Sequence, residues 1–591
     1  MKQIILGLLV FVKKTLIRKM KTQISLIILL FSFCTVNCEN LPVQDQLQSE
    51  ANVYQHFIMY GQSLSVGAQS YPLLSRENIP GNFMLGMQIW INYWNTNKTT
   101  LNPLVGKLAK QNSAGDTTLY AFSRAGTITA ECPLYGAVNH LQYKIGGKFI
   151  ATSTGTSGRS IEELSKESTT NTHYNGEFKN ALTNAHAAVQ NGGETISCPV
   201  IFFMQGENNY EGKGKGLTGG TSTTDKNEYK QLLVTLKNNM QNEIVSAYGQ
   251  SKKPAFITYQ AGCQYGKIRE LTIGMAHLEA SNENEDIICA GPVYPMPDRG
   301  GHLDPNGYRW FGEILAKVYY KTQILGEEFK PLQPKLIART DNPKQIRIKY
   351  HIPAPPLVLD TWTVTQQYQN FGFEVYKDAV KQTISSVVID GDCILLTSDS
   401  DLTGGAIEIM YAGVGENTVL TRGHGNVRDS DDYPAYFKYV DLDKKNEKNE
   451  YIYYRDPGQS LRAINQPKDA SGQVIYDQPY PLYNWSVAFY YQLGSAESSY
   501  MITGFTDQET VVAKVSENDP ISLYQQGKEV FIRTNKVSDL TVDLFDINGM
   551  RLNTYFFKTG LGVFSLDNLF SGIYIVKARA NYYSKQIKIF K

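Results

Sequence analysis

The sequence predicts an α/β protein, a parallel sheet with helices on both faces, followed by β-sandwich-type domains. Between residues 50 and 325, short apolar runs alternate with helical patterns, as in an α/β layer fold. From residue 330 to 515 the long helical patterns stop, and short alternating stretches rich in β-branched and aromatic residues replace them. Near the C-terminus, "LTVDLFDINGMRL" alternates apolar and polar residues into an Asn-Gly turn, a hairpin signal.

The strands expected in the first region are "HFIMY", "KFIAT", "PVIFFM" and "AFITYQ". Ser160 and Glu163 form a capping box at the head of one intervening helix, and Asp225 with Glu228 forms another. Leu232, Leu233, Leu236, Met240 and Ile244 then recur at helical spacing. "GEFKNALTNAHAAVQNGG" reads as a helix stopped by glycine. Asp304 followed by Pro305 starts a further helix, with Tyr308, Phe311, Ile314, Leu315 and Val318 on its apolar face. In the β-rich region "QIRIKYHI", "SSVVIDGDCILL" and "GAIEIMYAG" read as strands of one or two sandwich-like units. "SGIYIVKA" and "KQIKIF" supply the last strands.

A chain of 591 residues at roughly 100–200 residues per domain predicts about three or four domains. Lys13, Lys14, Arg18, Lys19 and Lys21 precede the apolar run "ISLIILLFSF", which fits an export signal over residues 1–38. Met20 is an alternative start, and lipidation at Cys38 an alternative fate. The remaining divisions are an α/β domain over 50–325, a β-rich accessory region over 330–515 and a terminal domain over 520–591. No later segment has the roughly 18 apolar residues that span a bilayer. Net charge is +1, so no global field favours nucleic acid or anionic membrane. Of seven cysteines, Cys34 and Cys38 leave with the signal; Cys132, Cys198, Cys263, Cys289 and Cys393 have no metal-type spacing and leave room for one disulfide. The 38 tyrosines suit a β-rich secreted protein that meets sugars.

Ligands of an open α/β sheet bind beyond the carboxyl ends of the strands. "FIMY" ends there in Gly61-Gln62-Ser63. Gly61 permits a sharp turn, and Ser63 either presents its hydroxyl and N–H to the crevice or caps the next helix. "PVIFFM" ends in Gln205-Gly206-Glu207-Asn208, where Asn208 can aim an amide donor at an oxyanion or simply serve the turn. "KFIAT" leads to Gly155 and Gly158, either of which can offer an unshielded N–H, with Gly158 preferred. His302 lies on the loop before the Asp304-Pro305 helix. His186 falls inside a helical pattern, His56 begins a strand, and His351 and His424 lie in the β region, which leaves His302 as the candidate base. Asp298 and Asp304 can both orient it; Asp298 is preferred because Asp304 has a capping role.

Together, Gly61-Gln62-Ser63, "GRSIEEL", Gln205-Gly206-Glu207 with Asn208-Asn209, and "HLDPNGYRWFGE" resemble the SGNH (GDSL-like) hydrolase superfamily, and within it the sialate O-acetylesterase and acetylxylan esterase branch. The resemblance implies a flavodoxin-like sheet and two-step acyl transfer. Ser63 is then the nucleophile, His302 the base and Asp298 its orienting acid. The oxyanion donors are the Ser63 amide, a Gly158 or Gly155 amide and the Asn208 side chain, with Gln62, Gln205 and Glu207 supporting. It requires no metal or cofactor, and the substrate is an acetylated glycan. Two departures stand out: Asp298-Arg-Gly-Gly-His302 is one residue longer than the superfamily's Asp-x-x-His, and Leu64 occupies a position where many relatives carry Asn. The rivals are a non-catalytic surface glycan-binding or adhesin protein and a hydrolase of lipid or thioester substrates. "GHGNVRDSDDYPAYF" and "DQPYPLYNWSVAFYYQL" read as sandwich packed on the catalytic domain, or as polysaccharide-binding surface.

"DLFDINGMRL", "FSLDNLFSGIYIVKA" and "SKQIKIFK" resemble the C-terminal sorting domain of proteins exported by the type IX secretion system of Bacteroidetes. That resemblance implies the secretion machinery as a partner and a secreted or cell-surface location.

Overall fold

In the computed structural model of the chain, residues 53–91, 95, 97–106, 131–170, 172–262, 269–364, 366–413, 424–453, 460–463 and 465–505 are described, followed by most of 521–590. The expected signal segment, Cys34, Cys38, Cys263 and the Asn548-Gly549 turn lie outside the described residues. The described residues fall into two compact units divided between Gly504 and Phe505.

The first unit begins with a mixed sheet of seven strands: β1 (Val53–Gly61), β2 (Asn82–Leu85), β3 (Leu101–Pro103), β4 (Lys148–Ser153), β5 (Thr195–Met204), β6 (Ala255–Gln260) and β7 (Ile287–Pro292). Their spatial order is β3-β2-β4-β1-β5-β6-β7, parallel throughout except for the β2–β3 edge. The helices are α1 (Ser63–Val66), α2 (Pro133–Ile145), α3 (Ile161–Leu164), α4 (Asn180–Gln190), α5 (Glu207–Tyr210), α6 (Lys226–Tyr248), α7 (Thr272–Glu283) and α8 (Pro305–Tyr319). Side chains of a strand alternate between faces, and β1 shows both faces covered. His56 hydrogen-bonds Tyr248 of α6 at 2.6 Å, while Phe57 packs edge-on against Tyr319 of α8.

β2, β3, β7 and α2 were not expected from the sequence. β2 and β3 have only four and three residues, too few to show a period. β7 has just two β-branched residues before it runs into Ala-Gly-Pro. The Ser160–Glu163 box is reciprocal, with Glu163 N–H donating to Ser160 Oγ (3.2 Å) and Ser160 N–H to Glu163 Oε2 (3.1 Å). The Asp225 box is only half made. Asp225 accepts from Glu228 N–H (2.8 Å), but the Glu228 carboxylate takes the Thr223 hydroxyl (2.6 Å), which in turn accepts the Asp225 N–H.

The same unit continues as antiparallel β structure. β8 (Gln333–Arg339), β9 (Gln345–His351), β10 (Val358–Leu359), β11 (Phe373–Lys377), β12 (Val380–Gln382), β13 (Ile384–Asp390), β14 (Cys393–Ser398), β15 (Ile407–Tyr411), β16 (Val427–Arg428), β17 (Phe489–Leu493) and β18 (Ser499–Met501) follow. They form a five-stranded sheet β13-β14-β9-β8-β18, a four-stranded sheet β12-β11-β15-β17 and the ribbon β10-β16. The two polar-aromatic stretches pack on α8. Trp310 stacks on Tyr480 with centroids 5.4 Å apart, and the buried Lys317 ammonium donates to Asp431 (3.0 Å), Leu482 O (2.6 Å) and Asn484 Oδ1 (2.9 Å). Cys132, Cys198, Cys289 and Cys393 are free, buried thiols.

The second unit has a three-stranded and a four-stranded antiparallel sheet. Its strands include Leu540–Asp546 and Arg551–Phe557, paired as the hairpin signal requires. Leu523, Val530, Ile532, Val542, Leu544, Val576 and Ile589 belong to its apolar core. Among the described residues of the chain, no helix is long and apolar enough to cross a membrane.

Candidate active-site crevice

The chain leaves β1 toward β2 on one side and β5 toward β6 on the other, so the carboxyl ends of β1 and β5 flank a topological switch point. There Gly61 has φ +144°, and a Cβ at this position would run into the Met204 carbonyl of β5. Only glycine fits such a close approach. Gln62 N–H then donates to Met204 O (2.8 Å), and the chain turns into α1 with Ser63 as its first residue. The cap position belongs to Gln62, so Ser63 does not cap this helix. Ser63 is 9% exposed, and among the described residues its hydroxyl has no hydrogen-bond partner.

Gln62 ties this turn to the next strand. Its Oε1 accepts from Gly206 N–H (3.2 Å) and Asn208 N–H (3.1 Å). Gly206 has φ +159°, and a Cβ there would press on Ala261, Ile273 and His277. Glu207 is buried and accepts from Gly262 N–H (2.8 Å) and the Tyr259 hydroxyl; burial raises its carboxyl above the usual range. Gln205 is fully buried, donating to Asn209 Oδ1 (2.7 Å) and Arg159 O (3.1 Å) and accepting from Tyr229 OH (2.7 Å). Asn209 donates onward to Glu162 Oε2 (2.9 Å) and accepts Ile161 N–H (3.0 Å). Gln62, Gln205 and Glu207 are thus struts between the ends of β1, β4, β5 and β6.

The loop after β4 closes beside Ser63. Thr156 N–H donates to Gly61 O (2.9 Å), and Gly155 abuts Gly61 O and the Ser65 hydroxyl. Gly158 is exposed, with φ +72° and open space where a Cβ would stand. Asn208 Nδ2 donates to Gly158 O (3.1 Å) and to Lys213 O (2.8 Å). An amide carries two N–H donors, so both of Asn208's are engaged by main-chain carbonyls.

His302 lies on the loop between β7 and α8 and docks on the segment after α1. Residues 298–303 form a tight loop, with Asp298 bridged to Leu303 and Arg299 N–H donating to His302 O (3.0 Å). His302 Nδ1 lies 2.9 Å from Gln69 Oε1, on the segment just after α1, and Tyr308 OH donates to Ala68 O (2.8 Å). An amide oxygen only accepts, so Nδ1 carries the hydrogen and Nε2 is the basic nitrogen. Asp298 is 1% exposed, and its Oδ1 accepts from Gly300 N–H (2.7 Å). Asp304 caps α8, accepting from Gly307 N–H (2.7 Å); burial pushes its carboxyl up to about 7. One stretch of the β-rich region, with Tyr71 of the α/β region, holds the loop. Asn465 Oδ1 accepts Asp298 N–H (2.8 Å) while its Nδ2 donates to Met296 O (3.1 Å), and the Arg299 guanidinium donates to Tyr71 O and Leu461 O.

Sequence reasoning missed Gln69 and Asn465. Gln69 has the positive φ (+61°) of a turn residue but no local signal, and Asn465 is distant in sequence from everything it holds. The structure therefore gathers the Ser63 turn, the glycine loop, the Asn208 turn and the His302 loop at one end of the sheet. His302 is docked there on Gln69, six residues beyond Ser63.

No protein-family profile matches the chain, and no curated protein matches it. Among solved structures it is similar to a novel carbohydrate acetylesterase from Xanthomonas citri, at 14% identity over 63% of this chain and 77% of that one, with a TM-score of 0.40. It is also similar to a protein from Arabidopsis thaliana, at 13% identity over 45% of this chain and 98% of that one, with a TM-score of 0.32. PorZ, a surface component of the type IX secretion system of Porphyromonas gingivalis, matches at 14% identity over 44% of each chain, with a TM-score of 0.11.

Proposed function

We propose that the chain is a secreted serine esterase of the SGNH type that removes acetyl groups from carbohydrate. The observation that carries this reading is the docking of the His302 loop on the segment behind Ser63, through the His302–Gln69 and Tyr308–Ala68 contacts. His302 Nε2 takes the Ser63 proton as the hydroxyl attacks the ester carbonyl, and Gln69 and Asp298 hold the ring and its loop. The Ser63 amide and the Gly158 or Gly155 amide receive the oxyanion. The Asn208 amide joins them by exchanging one of its carbonyl partners for the substrate oxygen. Protonated His302 then hands its proton to the leaving sugar oxygen, and water repeats the sequence to release acetate. The terminal unit serves as the type IX sorting domain, which places the enzyme outside the cell or on its surface.

p-Nitrophenyl acetate hydrolysis by wild type and by Ser63→Ala tests this. Rapid turnover in wild type that falls to background in the variant supports it; equal background rates in both exclude it. Acetylated xylo-oligosaccharides and O-acetylated sialosides then separate the sugars, and an octanoyl ester preferred over acetyl would move the assignment to lipid-like substrates. One observation favours the rival reading, a glycan-binding protein on this fold: both Asn208 donors are already engaged. Equal rates would leave that reading standing.

A further inference from the structure

The loop that carries Gly155 and Gly158, the alternative oxyanion donors, also carries Thr156, and Thr156 has a partner that the esterase chemistry does not use. His173 Nδ1 lies 3.2 Å from Thr156 Oγ1 and 3.2 Å from Glu177 Oε2. Thr156 comes from one local structure, and His173 and Glu177 from another. Thr156 sits between Gly155 and Gly158, with its N–H fixed on Gly61 O two residues before Ser63. His173 immediately precedes a π-helical turn, Tyr174–Lys179, and Glu177 lies inside that turn. Single π-helical turns are uncommon and concentrate at functional sites. This one puts a carboxylate one turn from the imidazole, with both side chains largely shielded, at 15% and 22% exposure.

The hydrogen-bond inventory fixes the direction of this chain of contacts. A carboxylate oxygen only accepts, so Nδ1 carries the hydrogen and shares it between Glu177 Oε2 and Thr156 Oγ1. The Thr156 oxygen is then an acceptor toward His173, and its own O–H remains to donate elsewhere. Thr156 is half-buried, and its neighbours Ser157 and Gly158 are exposed, so that donor belongs to the mouth of the crevice rather than to the core.

We propose that Glu177 and His173 orient the Thr156 hydroxyl as a substrate-positioning donor, which hydrogen-bonds an oxygen of the alcohol half of the ester, a sugar hydroxyl or ring oxygen. This rests on the esterase reading of the same crevice. Thr156 selects sugar esters over simple ones, and His173 and Glu177 act through it as positioning residues.

The test compares two kinds of ester in Thr156→Val, Thr156→Ser and His173→Gln. Thr156→Val preserves shape and removes the donor; losing one such hydrogen bond costs about tenfold in KM for acetylated xylo-oligosaccharides or O-acetylated sialosides. Its kcat and its p-nitrophenyl acetate kinetics should stay within about twofold of wild type. Thr156→Ser should restore the sugar ester, and His173→Gln should fall between. An unchanged ratio of sugar ester to p-nitrophenyl acetate in Thr156→Val, or an equal loss on both, overturns the proposal and leaves the esterase standing. If wild type hydrolyses neither ester, the esterase reading itself fails. Calorimetric titration of the acetylated sugars then decides: weaker binding in Thr156→Val supports the donor, and equal affinity ends it.

Discussion

The two halves of the crevice are held together by different parts of the chain. The Ser63 half is bonded within the parallel sheet: Gly61 against Met204, Gln62 to Gly206 and Asn208, and Thr156 to Gly61. These bonds link the ends of adjacent strands, so the fold of the sheet alone places Ser63. The His302 half depends on groups far along the sequence, both side chain and backbone. Asn465 holds the Asp298 and Met296 backbones, Leu461 O receives Arg299, and Asn306 exchanges bonds with the Val440 backbone at 2.9 Å each way. The β-rich region is thus a brace for the His302 loop, and its polar-aromatic stretches pack on α8. The lesson is that a region reading as an accessory module in the sequence can be packed into the same compact unit as the α/β sheet and hold its loops.

Variants in the two halves should separate accordingly. The largest effect is expected from Gly61→Ala in the nucleophile half. The clash is with backbone and the φ is left-handed, so the substitution should cost about 3 kcal/mol or more of stability and remove activity. Urea denaturation and ester hydrolysis measure both, and a stable, active variant would mean that the Ser63 turn is placed by something other than the β1–β5 contact. Asn208→Ala should lower kcat about a hundredfold, by loss of an oxyanion donor, with a smaller change in stability. If kcat is unchanged, Asn208 only braces the Gly158 loop.

In the base half, Asn465→Ala leaves the Asp298 N–H and Met296 O unpaired in a buried place. It should cost about 1–3 kcal/mol and lower kcat about tenfold or more as the loop shifts. Labelling of the serine by an ester-independent probe should slow in parallel. Normal kcat would show that the His302 loop stands without its brace.

A further effect, on stability alone, should be one of pH. Asp304 is fully buried, and burial lifts its carboxyl from its ordinary value to about 7. A carboxyl with a folded pKa above its unfolded value binds more protons when folded. Its stabilising contribution is therefore full below about pH 4 and is lost as pH rises toward about 7. Asp304→Asn keeps a good capping side chain and cannot ionise. Its stability relative to wild type should rise between pH 4 and 8 in urea titrations; parallel pH profiles would mean that Asp304 titrates normally.

The same contrast explains what could be read in advance. Strand ends carrying Gly-Gln-Ser and Gln-Gly-Glu announce themselves, because a glycine after an apolar run marks a sharp turn and the partners lie on neighbouring strands. Ser160–Glu163 was legible because capping is local. Asn465 and Gln69 were not, since nothing within a few residues of either shows which backbone it will meet. β2 and β3 were hidden by brevity, and α2 by the absence of a strong N-cap, its cap position being Cys132, with no side-chain bond. The preference for Asp298 over Asp304 came from the capping rule, and the Asp304–Gly307 bond is that cap.

The central claim is that Ser63 is a nucleophile activated by His302. Treating the protein with a fluorophosphonate and mapping the adduct by peptide mass spectrometry tests it most directly. The account predicts a single adduct on Ser63 in wild type and a labelling rate at least a hundredfold slower in His302→Ala, about the contribution of a general base. No adduct on Ser63, or equal labelling in the two proteins, would contradict it.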